Sequence, residues 1–197
     1  MNLTEHTALL LVDIQQGFDD IAYWGGARNN PGAEANAARL LEVWRLRGWP
    51  LFHIQHCSVN PASRLAPGHP GNAFKPEVRP EPGEPVIQKT VNSAFIGTGL
   101  KGQLEAAGIR QVLIAGLTTD HCVSTTTRMA GNYGFETILV ADACATFDKT
   151  GHDGQRYPAQ LVHDTALASL HGEFATVLGT DRLLQVLRDT IVKSTTP

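Results

Sequence analysis

QVLIAGLTTDHCV, residues 111–123, decides how this chain is read. An unbroken apolar run of strand length ends in a polar turn, and four residues, Thr118 to His121, separate the run from Cys122. Working outward, TALLLVDI (7–14) shows the same pattern and reads as a strand buried on both faces, ended by Asp13 and the turn-like QQGFDD. PLFHIQH (50–56), VIQK (86–89), ETILVADA (136–143) and FATVL (174–178) complete a set of six strands. Helices are predicted between them over about 33–47, 100–107, 119–132, 158–170 and 181–192. In the first of these, Ala37, Leu40, Leu41, Val43 and Trp44 fall on helical spacing and Gly48 can cap the end. The helix from Thr119 is expected to open on a Thr-Asp N-cap region. Strands alternating with helices at this spacing mean parallel strands joined by right-handed crossovers. The expected fold is therefore α/β: one domain over 1–197, a three-layer α/β/α sandwich around a six-stranded, mainly parallel, Rossmann-like sheet.

The totals fit one such domain. A chain of 197 residues with 42% hydrophobic and 18% charged residues can bury a sizeable core without staples. No apolar run approaches the roughly 20 residues needed to span a bilayer, so no membrane partner is expected. A net charge of -3 with scattered basic residues offers no stripe for nucleic acid. The start, MNLTEHTALLLVD, lacks a basic region before its apolar stretch, and Asp13 interrupts that stretch too early for a secretory signal, so a cytoplasmic location is expected. Three cysteines, Cys57, Cys122 and Cys144, form no CxxC pair, and each must be explained as a single thiol.

In an open parallel sheet, ligands sit beyond the carboxyl ends of the strands, near a switch in strand order. Three polar residues stand there: Asp13 after the first strand, Lys89 at the end of the third and Cys122 past the fourth. A cysteine near a helix N-terminus is expected to have its pKa lowered toward the thiolate. A carboxylate at the end of a buried strand is costly unless paired or used. Each residue also has a plain alternative: a buried thiol filler, an Asx-turn cap and a solvated strand end.

LLLVDIQQGF (9–18), VIQKTVNSAFIGTGL (86–100), GIRQVLIAGLTTDHCVSTTTRMAGNYGF (108–135) and TILVADACATF (137–147) together give the chain a family resemblance. In order and spacing it resembles the isochorismatase-like cysteine hydrolases, which include nicotinamidases, N-carbamoylsarcosine amidase and related amidohydrolases. The resemblance implies the isochorismatase-like hydrolase fold and a catalytic triad of Asp13, Lys89 and Cys122. It also implies a cis peptide at Leu117-Thr118 and an oxyanion hole from the backbone N–H groups of Thr118 and Cys122. Family position further makes Phe18, Trp24, Phe95 and Thr119 candidates for the substrate pocket, with His56 beside them. The implied reaction is hydrolysis of a C–N bond in a small amide, ureide or lactam through a thioester acyl-enzyme. The family commonly forms homo-oligomers, so a dimer or tetramer acting on a small-molecule substrate is expected.

Two departures narrow the reading. Nicotinamidases hold a metal with an Asp-x-His and a further His after the second strand, where this chain has QHCSVNPAS (55–63), so no metal and no cofactor are expected. His53 and His56, three apart on a strand, face opposite sides and cannot ligate jointly. Isochorismatase itself, a vinyl-ether hydrolase, lacks the cysteine that is present here.

GTGLKG (97–102) fits the dinucleotide pattern G-x-G-x-x-G, but the preceding VIQKTVNSAFI does not run as a buried strand into the first glycine. NAD binding is a weak alternative. A non-catalytic binding or assembly member of the same fold is a second one, since fold alone does not fix function. Residues 57–85, rich in Pro and Gly, read as a functional loop or lid, and Arg28, Arg64, Lys75 and Arg79 are possible anchors for an anionic substrate.

Overall fold

A computed structural model of the chain describes residues 3–194. In chain order its elements are β1 (Thr7–Val12), a one-turn helix α1 (Ile21–Trp24), α2 (Ala33–Arg47), β2 (Leu51–His56) and β3 (Val86–Lys89). Then follow α3 (Leu100–Ala106), β4 (Gln111–Leu117), α4 (Ser124–Asn132) and β5 (Glu136–Ala145). A small hairpin, β6 (Lys149–Thr150) with β7 (Arg156–Tyr157), precedes α5 (Ala159–Leu170), β8 (Thr176–Leu178) and α6 (Thr180–Ser194).

β1 is buried along its whole length, and its side chains alternate between two cores. Ala8, Leu10 and Val12 enter one, which α3, α4 and α5 cover through Leu100, Leu104, Ala130 and Leu170, with Val123 just before α4. Leu9 and Leu11 enter the other, covered by α2 and α6 through Leu40, Leu41, Trp44, Leu183 and Leu187. This two-sided burial is why the strand shows no polar alternation. The Trp44 indole donates to the Thr7 carbonyl at 3.1 Å, which fixes α2 against the start of the sheet.

The main sheet has the order β3-β2-β1-β4-β5-β8, and every pair in it is parallel. The chain builds outward from β1 to β3, then returns to place β4 on the other side of β1. The carboxyl ends of β1 and β4 therefore flank the topological switch, where a crevice opens in folds of this type. No helix among the described residues is long and apolar enough to cross a membrane.

Three sequence expectations need correction. The helix expected over 119–132 begins with a π-helical turn, Thr119–Val123, whose N-cap Thr118 makes no side-chain capping bond. Asp120 does not cap it either, because its carboxylate accepts from Thr146 and faces Lys149. β5 runs two residues further than read, to Ala145, because a register shift between Ile114 and Gly116 lets Cys144 and Ala145 pair with Gly116 and Leu117. β8 starts later than read, since Gly172 and Ala175 are drawn into a turn after α5.

The 57–85 segment is irregular but tied down. The Gln15 amide donates to the carbonyls of His56 (3.1 Å) and Asn72 (2.8 Å), and the Asn72 amide donates to those of His56 (2.9 Å) and Leu65 (2.8 Å). Lys75 pairs with Asp19 and Glu34, and Arg45 with Glu84, which holds the far end.

Candidate active site

β1 and β4 approach very closely at their carboxyl ends. A Cβ placed on Gly116 would stand 2.0 Å from the Val12 carbonyl oxygen, and Gly116 has φ 139°, so only glycine fits there. One residue past Val12, Asp13 takes φ 52°, a left-handed conformation that Asp tolerates better than most residues, and ends the strand. Six residues past Gly116 comes Cys122, inside the π-helical turn. The peptide bond Leu117–Thr118 is cis.

Lys89 reaches the same place from the edge of the sheet. It is the last residue of β3 and lies in register with His56 on β2, so the two side chains stand together. The Lys89 ammonium donates to Asp13 Oδ2 at 2.7 Å and to the Val91 carbonyl at 3.2 Å, and its Nζ lies 3.2 Å from His56 Nδ1. An ammonium has three donors and no acceptor, so these contacts use all of them and make His56 Nδ1 an acceptor. A neutral His56 ring then carries its proton on Nε2. Ligand-type atoms of Asp13, His56 and Cys122 all lie within 4.8 Å of one another. A metal ion would find that spacing acceptable, but it would have to share the crevice with the Lys89 ammonium, which already neutralises Asp13.

The electrostatics follow from burial. Asp13 is wholly buried and its carboxyl is raised above the ordinary 3.8: desolvation outweighs the stabilising Lys89. Its second oxygen, Oδ1, has no hydrogen-bond partner, and the Cys122 thiol lies close enough to the carboxyl group to act on it. Burial also pushes the Cys122 thiol up, reinforced by the negative charge of Asp13 and opposed by Lys89. The sequence expectation of a lowered thiol is thus reversed: the helix end is a distorted turn, and desolvation dominates. In the resting site the proton sits on sulfur, facing a carboxylate with a free oxygen. His56 is held below its ordinary 6.5, first by burial and then by Lys89.

Cys122 borders a cavity of about 100 Å³. Phe18 and Trp24 line it on the aromatic side, with ring centroids 4.6 Å apart, and Phe147 supports both rings from 6.1 and 6.2 Å. The Trp24 indole is fixed by donation to the Gly17 carbonyl at 2.7 Å. His56, Asn92, His121 and Thr118 supply the polar lining, and Thr118 Oγ1 is buried without a partner.

Of the pocket residues named from sequence, Phe18, Trp24 and His56 line this cavity, whereas Phe95 and Thr119 do not. Phe95 packs in the core against Tyr133 and Phe135, because its backbone is held beside α4 by Ala94 donating to the Thr126 hydroxyl. Thr119 is fully buried, its hydroxyl 2.8 Å from His163 Nδ1 on α5. His53 faces away from the site and bonds Glu84 at 2.8 Å. Sequence reasoning missed Leu65, Asn92 and His121. His121 adjoins Cys122 and Asn92 follows Lys89 by three, so nearness to the triad was the available signal; Leu65 gave none. Three of the four proposed anionic-substrate anchors are otherwise engaged, Arg28 pairing with Glu34, Lys75 with Glu34 and Asp19, and Arg64 with Asp20, and the fourth, Arg79, is exposed.

The sequence model of the Isochorismatase domain matches residues 7–182. The uncharacterized isochorismatase family protein YrdC of Bacillus subtilis (strain 168) is 48% identical over 182 residues, covering 92% of this chain and 96% of the relative. Maleamate amidohydrolase of Pseudomonas putida is 31% identical over 167 residues, 76% of this chain and 77% of that protein. The crystal structure of an isochorismatase-family protein from Chromobacterium violaceum ATCC 12472 matches with a TM-score of 0.91 at 49% identity, over 96% of this chain and 97% of that one. With the domain match running from the first strand into the last helix, and two near-full-length likenesses close to half identical, the chain belongs to the isochorismatase family of hydrolases.

Proposed function

We propose that this protein is a cysteine-dependent amidohydrolase that cleaves a C–N bond of a small amide, ureide or lactam through a thioester. The observation that supports it most is the Asp13–Lys89–Cys122 cluster at the strand switch, bordering a cavity with an unpartnered carboxylate oxygen beside the thiol. The amidohydrolase among its relatives supports the same class of reaction.

In this reading the Cys122 proton passes to Asp13 as the sulfur attacks the substrate carbonyl carbon, forming the C–S bond and moving the π pair onto oxygen. The backbone N–H groups of Thr118 and Cys122 receive that oxyanion; one such donor is typically worth about 3–4 kcal/mol. Protonated Asp13 then gives its proton to the leaving nitrogen, the carbonyl re-forms and the C–N bond breaks. Water attacks the thioester with Asp13 again taking a proton, the C–S bond breaks, and the thiol is restored. The raised pKa of Asp13 suits it to both transfers. Lys89 favours the ionised form of Asp13 between them, against burial, and its own donors are all engaged.

An ammonia-release screen over diverse small amides, with Cys122→Ala as the blank, tests the reading. Turnover in the wild type should fall by at least about 10⁴-fold in the variant, as expected when a nucleophile is removed. Ammonia release that survives the substitution would reject Cys122 as the nucleophile.

A further inference from the structure

The charges around the cavity are balanced before any substrate enters. None of the described residues that line it is a lysine or arginine. The Lys89 N–H groups are directed at Asp13, the Val91 carbonyl and His56. The neighbouring loop cations are also committed: Arg28 and Lys75 to Glu34, Arg64 to Asp20, Lys149 to Asp120. His56 and His121 are both held below the ordinary 6.5, desolvation being the first cause for each, which favours their neutral forms.

What remains open to a ligand is neutral. Thr118 Oγ1 is buried without a partner, His56 brings an imidazole, and Asn92 brings an amide. Phe18 and Trp24 supply flat apolar rings. The cavity, about 100 Å³, is well below the roughly 300–1,000 Å³ of sites for drug-sized ligands.

We infer that the cavity selects small, uncharged, planar amides and rejects those that carry a carboxylate or phosphate. An anion entering it would give up its water and find the Lys89 ammonium already held by Asp13 at 2.7 Å, with no unpaired cation at the lining, whereas a neutral amide can be satisfied by the hydroxyl, imidazole and amide groups. The inference rests on the amidohydrolase reading and names its substrate class.

Malonamide and malonamate form a matched pair, nearly equal in size and shape and differing by one charge. Near neutral pH, kcat/KM for ammonia release should favour malonamide by at least about 100-fold, which corresponds to two tenfold steps in affinity. Malonamide should also slow alkylation of Cys122 by iodoacetamide, and malonamate should not. Asn92→Arg, which adds a cation at the lining, should narrow the preference by about tenfold, one such step. Malonamate turned over or protecting as well as malonamide would overturn the inference, as would protection by neither with turnover of neither. Protection by malonamide alone, with no ammonia released, would keep the selectivity and remove the amidohydrolase reading.

Discussion

Two lysines are buried against carboxylates in this molecule, and they serve different ends. Lys75 lies under the 57–85 segment, 2.6 Å from both Glu34 Oε1 and Asp19 Oδ1, and the other Glu34 oxygen takes Arg28 at 2.7 Å. Every oxygen of Glu34 is thereby engaged. Lys89 lies at the strand switch, 2.7 Å from Asp13 Oδ2, and leaves Asp13 Oδ1 unpartnered beside a thiol and a cavity. A saturated cluster can only hold parts together, while one with a free acceptor next to a reactive atom can move a proton. Buried charge alone does not mark an active site; an unfilled hydrogen-bonding position at a cavity does.

The contrast can be broken most sharply at the two carboxylate partners. Asp13→Asn should lower ammonia release by about 10²–10⁴-fold, the usual contribution of a positioned base, while the chain stays folded because the amide oxygen can still accept from Lys89. Lys75→Met should do the reverse. It should cost about 2–3 kcal/mol in urea unfolding, below the full penalty of a broken buried pair because Arg28 still faces Glu34, and turnover per folded molecule should stay near wild type. Loss of activity without loss of stability in the Lys75 variant would erase the distinction between the two clusters.

A smaller effect separates them by pH. The Asp13 carboxyl is raised above 3.8 in the fold, so its contribution to stability is fully present below 3.8 and is lost as pH rises through the folded value. Glu34 is also desolvated, but the bonds and charges of Arg28 and Lys75 outweigh burial and hold it below 4.5. Its contribution is present above 4.5 and is lost as pH falls through its folded value. Urea unfolding at stepped pH should therefore show Asp13→Asn gaining on the wild type as pH rises above 3.8, and Glu34→Gln losing ground as pH rises toward 4.5. Slopes of the same sign would contradict the assignment. Turnover in the wild type should also fall on the acid side at a pH above 3.8, where Asp13 takes up its proton.

Much of the sheet was legible because the strands are apolar on both faces and bounded by turns. β3 and β4 match their sequence reading residue for residue, and α2 matches from Ala33 to Arg47. The placing of Asp13, Lys89 and Cys122 at one sheet edge was legible for the same reason, since strand ends in a parallel sheet share an edge. What failed depended on contacts between distant segments. Phe95 looked like a wall residue, yet the pairing of Ala94 with α4 turns it into the core. Phe147 supports the Phe18 and Trp24 rings from 129 and 123 residues further along the chain (147 minus 18 and 147 minus 24), and no local pattern announces that. The direction of the Cys122 shift was misread because dipole position can be seen in a sequence and depth of burial cannot.

Iodoacetamide labelling, followed peptide by peptide in wild type and Asp13→Asn, tests most directly whether Asp13 activates Cys122. Cys144 is fully buried, with its thiol pushed up to about 12 by desolvation, and should stay unlabelled, while Cys57 is half-exposed and serves as the internal reference. Cys122 should react faster than Cys57 in the wild type and lose that lead in Asp13→Asn. Cys57 reacting first in both proteins, with the Cys122 rate unchanged by the substitution, would contradict a carboxylate-activated thiol at the strand switch.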